Sequence, residues 1–139
     1  MKKILVHVHI FYENLYPELK ACLLNLNGYN CDYIFTFVKE NEALESDIKS
    51  TFKNVNVEIV KNLGFDLGPF VHVLNEVNLN DYSYVIKLHT KRDIPLNGKK
   101  DWYTGSGWRD ALLKFIRSKD VFDKVVERLE KNPNVGMHG

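Results

Sequence analysis

Ile4 to Phe11 is a nearly continuous apolar run rich in β-branched residues. A strand of that composition has no solvent face, so it belongs in the middle of a parallel sheet, covered on both sides. The rest of the chain must then supply neighbouring strands and the helices that cover them. Cys31 to Val38, with Tyr33, Ile34, Phe35, Thr36 and Phe37, reads as a second strand. Asn54 to Val60 alternates Val55, Val57 and Ile59 with Asn56 and Glu58, which suits a third strand nearer an edge. Asp81 to His89 reads as a fourth.

Helical spacing fills the intervals. Pro17 suits a first helical turn, Leu15, Leu19, Cys22, Leu23 and Leu26 follow on one face, and Asn27-Gly28 stops the segment. Asn41 to Phe52 predicts a polar helix with a narrow apolar stripe, and Pro69 to Val77 predicts one carrying Phe70, Val73, Leu74 and Val77. Trp108 to Ile116 and Asp120 to Lys131 are two more, after an irregular stretch from Thr90 to Gly107. The order β-α-β-α-β-α-β-loop-α-α predicts a three-layer α/β fold with a mostly parallel, Rossmann-like sheet.

A chain of 139 residues is one domain's worth, and its last residues, Asn134 to Gly139, begin like a further strand, as if a module ended there or were cut short. The formal net charge of +1 gives no global pull toward nucleic acid or anionic membrane. Locally, Glu40 to Asp47 is acidic, whereas Lys87 to Lys100 carries five Lys or Arg. Cys22 and Cys31 read as reduced core thiols, since no second Cys/His pair completes a zinc pattern. The opening Met-Lys-Lys resembles a signal-peptide start, but His7 and His9 interrupt the apolar run and no small-residue cleavage site follows. A cytoplasmic location is the expectation.

In a parallel sheet, ligands bind beyond the carboxyl ends of the strands. The residues leaving the four strands are His9 and Tyr12, Lys39, Asn62 to Asp66, and His89 to Arg92. Gly64 and Gly68 flank Asp66 ahead of Pro69, a turn whose following helix start offers N–H groups to an anion or a sugar hydroxyl; Asp66 serves equally well as a plain helix cap. The two-residue period sends Lys87, His89 and Lys91 to one side of the fourth strand and Leu88 and Thr90 to the other. Three such groups within five residues call for an anionic partner: a diphosphate, Asp93 and Asp101, or solvent. His72 reads as a hydrogen-bonded packing residue, and Trp102, Tyr103 and Trp108 as either a stacking surface or loop anchors. Neither a Walker loop nor a Gly-x-Gly-x-x-Gly after the first strand is present, and no serine sits in a nucleophile elbow.

His9-Ile-Phe-Tyr, Asn62-Leu-Gly-Phe-Asp-Leu-Gly-Pro-Phe, Tyr84-Val-Ile-Lys-Leu-His-Thr-Lys and Trp108-Arg-Asp-Ala-Leu, in that order, resemble the rhamnan synthesis protein F family. More distantly, the Asn-x-Gly turn with its helix and aromatic strand resembles the nucleotide-sugar half of the GT-A glycosyltransferase fold. The resemblance implies a glycosyltransferase, of rhamnosyltransferase type, taking a nucleotide-sugar donor such as dTDP-rhamnose to a glycan acceptor at the inner face of the membrane, with peripheral membrane association and no nucleic-acid partner. Under it, His9, Asn62, Gly64, Asp66, Gly68, His89, Lys91, Arg92, Trp108 and Arg109 bind the donor, and Asp93 and Asp101 are the carboxylates for the acceptor proton. The chain departs from GT-A enzymes at one place. Where Asp-x-Asp would hold a divalent metal, it carries His89-Thr90-Lys91, so no metal is required and the cations are expected to neutralise the diphosphate themselves. The alternative function is a non-catalytic GT-A-like module that binds a glycan or a partner protein.

Overall fold

The computed structural model describes residues 2–138. The chain forms two compact units, one made of the residues up to Glu13 together with Gly28–Thr90, the other of Asn14–Asn27 with Lys91 onward. The fold is α/β.

The first unit is built on a four-stranded, all-parallel sheet of β1 (Lys3–Ile10), β2 (Asn30–Phe37), β3 (Val55–Ile59) and β4 (Tyr84–His89), in the spatial order β3-β2-β1-β4. The apolar run of β1 is central, and seven of its eight residues are buried. The alternating β3 is an edge strand, as its half-polar pattern requires. Helix α2 (Glu42–Thr51) is capped by Asn41, whose side chain accepts from the Leu44 N–H, and helix α3 is Leu67–Glu76. The two helices cover opposite faces. Phe52, just past α2, packs on Tyr33 and Phe35, whereas α3 sets Val73 against Leu5 and Ile34 and Phe70 over His7. Register explains the division. Tyr33 and Phe35 stand beside Val6 and Val8, and Ile34 and Thr36 stand beside His7 and His9 on the other face.

The fourth strand starts at Tyr84 rather than Asp81. Asn78 caps a short 3-10 turn, Leu79–Asp81, by accepting from the Asn80 N–H, and this local bonding competes with extension.

The second unit contains α1 (Tyr16–Leu23), α4 (Gly107–Leu113) and α5 (Lys119–Lys131), with Leu23, Leu26, Leu113, Ile116 and Phe122 buried. Ser118 caps α5 through the Val121 N–H. Ile94 and Gly105 pair as an antiparallel bridge that closes the irregular stretch between them. Both cysteines are free thiols and buried. Among the described residues no helix is long and apolar enough to cross a membrane.

Candidate functional site

The face of the sheet under α3 is apolar in its middle, where Leu5 and Ile34 meet Val73, and polar toward the carboxyl ends of its strands. Leu5 gives way to His7 and His9 along β1, Ile34 to Thr36 along β2, and Val85 to Lys87 and His89 along β4. Three of these polar residues lie far inside: His7 and Thr36 have no exposed surface and His9 is also buried, while Lys87 is half-buried. Buried polar groups must be paired or they cost stability. Here the pairing is specific. The Thr36 hydroxyl lies 2.9 Å from His7 Nε2 and 2.9 Å from His9 Nδ1, so with its single proton it donates to one imidazole and accepts from the other. The tautomers of the two rings are coupled through it. His7 Nδ1 is buried without a partner, and its ring stacks on Phe70 at 5.7 Å.

Asp66 supplies the charge. It occupies the N-cap position of α3 but makes no capping bond; its carboxylate accepts from Lys87 and lies 3.6 Å from His89 Nδ1. The plain capping role is thereby corrected: β4 presents the Lys87 ammonium on this face, and a carboxylate within reach of an ammonium is worth more there than bonded to neutral amides. Burial pushes the Asp66 carboxyl upward, but the Lys87 bond and the His89 and Lys87 charges outweigh it and hold the group below its ordinary value. His7 is driven down to about 3, by burial first and then by neighbouring His9 and Lys87. Burial lowers His9 too, with Asp66 opposing. Both imidazoles in β1 are therefore neutral at pH 7.

The turn before α3 presents Asp66 by an unusual backbone path. Gly64 and Phe65 both have left-handed φ, 71° and 53°. A β-carbon on Gly68 would lie 1.8 Å from the Leu63 carbonyl oxygen, so no side chain fits there. Gly68→Ala is expected to cost about 3 kcal/mol, near the top of ordinary overpacking, as read from the urea midpoint. The N–H groups expected to be free at the helix start are occupied. Leu67 N and Gly68 N both donate to Gly64 O, and Pro69 has none. Asn62 is exposed and makes no hydrogen bond to the cluster.

Glu58 and His72 form a further pair at 2.8 Å on this side of the sheet. His72 is thus hydrogen-bonded as expected, but it is largely exposed rather than packed. Thr90 leaves β4 on the opposite side, is buried, and accepts from the Phe11 and Tyr12 N–H groups at 3.0 Å each, which fixes the exit of β1 beside that of β4. A separate groove of about 540 Å³, lined by Lys3, Asn30, Asp32, Asn54, Asn56 and Tyr82, opens at the other end of the strands and shares no residue with the cluster.

The remaining expected site residues lie in the second unit. Arg109 is largely buried and spends its guanidinium on Glu18 at 2.5 Å, on Asp93, and on the Lys91 carbonyl at 3.0 Å. Glu18 also accepts from Arg117, which reaches Asp110 at 2.6 Å. Asp101 accepts from the Tyr103 hydroxyl at 2.9 Å. Trp102 and Trp108 lie 5.6 Å apart, tilted by 33°, and Gly107 is pressed against the Trp102 carbonyl, where a β-carbon would lie 1.8 Å away. Lys91 and Arg92 are half-buried and exposed respectively.

Reading the sequence finds His9, Asp66 and His89 as exits from strands and Lys87 beside His89 by the two-residue period, and misses His7 and Thr36 as members. The available signal was two histidines two residues apart in an otherwise apolar central strand. Among the described residues no group of three or more His, Cys, Asp or Glu side chains is placed to hold a metal ion. The end of β4, His89-Thr90-Lys91, carries no carboxylate pair.

The chain is 31% identical over 81 residues to an uncharacterized protein, WxcX, of Xanthomonas campestris pv. campestris strain B100, and 30% identical over 81 residues to WxcX of a second strain of that pathovar. Each match covers 58% of this chain and 11% of the relative, so the chain spans about a tenth of the length of the curated relatives it matches. No solved structure matches it. The family model of rhamnan synthesis protein F matches residues 1–138, and the chain belongs to the rhamnan synthesis protein F family.

Proposed function

We propose that this domain binds the nucleotide-sugar donor of a glycosyltransferase in the synthesis of rhamnan or a related polysaccharide, in the manner of a GT-A donor half. The observation that carries the reading is the Lys87–Asp66–His89 cluster at the carboxyl edge of a parallel sheet, next to a glycine turn. Family membership supplies the pathway context. In such a transfer the acceptor hydroxyl oxygen bonds to the anomeric carbon while the bond from that carbon to the diphosphate breaks. The proton goes to a base, and negative charge gathers on the departing nucleoside diphosphate. Lys87 and His89 would meet that charge, with Asp66 holding the ammonium in place until the ligand arrives. The neutral His9, whose Nδ1 is bonded to Thr36, would offer its other ring nitrogen from the floor. Peripheral association with the inner membrane face, a dTDP-rhamnose donor and a glycan acceptor belong to the same proposal.

Calorimetric titration with dTDP-rhamnose tests it: saturable binding without added metal is expected, and no heat from dTDP-rhamnose, UDP-sugars or free nucleotides sinks it.

A non-catalytic role is the second reading, favoured by one feature. The carboxylates on this face are engaged: Asp66 by Lys87 and Glu58 by His72. Donor binding with no release of nucleotide in the presence of glycan acceptors would decide for it.

A further inference from the structure

Among the described residues three that are not glycine adopt left-handed φ: Asn54, Phe65 and Asn97. Asparagine tolerates that conformation because its side chain bonds locally; phenylalanine has no such compensation, and its β-carbon crowds the backbone. Phe65 is also 88% exposed. One residue thus carries both backbone strain and a large apolar ring held in water. Such an outlier, when the surroundings enforce it, points toward function. Here the surroundings do enforce it. Gly64 precedes Phe65 in the same left-handed region, and Gly68, which admits no side chain, closes the turn through Gly64 O.

The turn alternates. Asp66 is directed to Lys87 and His89, while Leu63, Phe65 and Leu67 stand exposed, 66%, 88% and 62%. Exposed apolar side chains led by one aromatic ring therefore flank, along the chain, the carboxylate that meets Lys87 and His89. A ligand that fits both must carry an anionic group and a flat, weakly polar ring at its other end. A nucleoside diphosphate has this character; a bare sugar phosphate or a glycan does not. We propose that Phe65 is the stacking platform for the nucleobase of the donor, with Leu63 and Leu67 as its apolar margins. The inference rests on the donor reading above and deepens it: it assigns the base-recognition subsite and makes Phe65 a determinant of affinity for the nucleoside part alone. Base–aromatic stacking tolerates any base, so Phe65 contributes affinity without choosing among bases.

The test uses Phe65→Gly, which suits the left-handed backbone, and Phe65→Tyr, which keeps the ring. Binding of dTDP and of inorganic pyrophosphate is measured by calorimetry on the whole chain, with thermal unfolding alongside. Phe65→Gly should weaken dTDP binding at least tenfold, about 1.4 kcal/mol, leave pyrophosphate binding unchanged and leave the unfolding midpoint equal or higher. Phe65→Tyr should bind dTDP like the parent. Equal dTDP affinity in parent and Phe65→Gly overturns the proposal while leaving the donor reading intact. If the parent binds neither dTDP nor pyrophosphate, the donor reading fails and the stacking role fails with it.

Discussion

Lys87→Ala is expected to weaken dTDP-rhamnose binding about a hundredfold, and adding Asp66→Asn to it is expected to return part of that loss. The asymmetry follows from the pair. Lys87 and Asp66 are each about a quarter exposed, so neither is fully solvated. Removing the ammonium deletes a cation that faces the diphosphate and also leaves the Asp66 carboxylate uncompensated beside it. Truncating one partner of such a pair costs about 2–5 kcal/mol, much of it from the stranded charge. Neutralising Asp66 removes the repulsion but not the missing attraction, so the double variant should recover without reaching the parent. Calorimetry on the four proteins of the cycle gives the coupling energy directly. Additive losses would show that Lys87 and Asp66 do not act on the ligand as a unit.

The second large effect is on stability. His7 is driven down to about 3 in the folded chain and titrates near 6.5 in the unfolded one. Between those values the unfolded state holds the extra proton, so stability is complete above pH 6.5 and falls as pH drops toward 3. The slope from His7 alone approaches about 1.4 kcal/mol per pH unit. His9 is also lowered and acts in the same direction. Asp66, held below its ordinary value, adds its contribution above the unfolded carboxyl range and loses it only further down. The pH 6.5–4.5 interval therefore reports the histidines. His7→Leu should flatten the urea-midpoint profile there. At pH 8 it should cost less than 1 kcal/mol or stabilise, because it also removes a buried nitrogen that has no partner. A loss above 2 kcal/mol at pH 8, in the range of ordinary core truncations, would mean that His7 Nδ1 is satisfied in solution.

These residues also show what a linear reading can and cannot deliver. The four strands were legible because burial on two faces demands an apolar run, as at Ile4 to Phe11, and an edge demands alternation, as at Val55 to Ile59. The start of the fourth strand was not, since Asn78 holds the backbone in a turn by a side-chain bond that hydrophobic pattern does not register. Asp66, His9 and His89 were visible as strand exits, but not what joins them. The anion that Lys87 and His89 need is 21 residues before Lys87, and appears only when α3 is laid on the face that β4 presents. Thr36 likewise meets His7 across 29 residues of sequence, a contact set by the β1–β2 register. The helix Tyr16–Leu23 has a clear apolar face, but a face does not name its partner, and the helix belongs with the second unit.

The central claim is that the Lys87–Asp66–His89 edge holds the diphosphate of a nucleotide sugar. Calorimetric titration of the parent chain with dTDP-rhamnose in metal-free buffer, repeated with Lys87→Ala, tests it most directly. One saturable site per chain is expected in the parent and a loss of about a hundredfold in the variant. Parent and variant binding with the same affinity, or no binding by the parent, would contradict it.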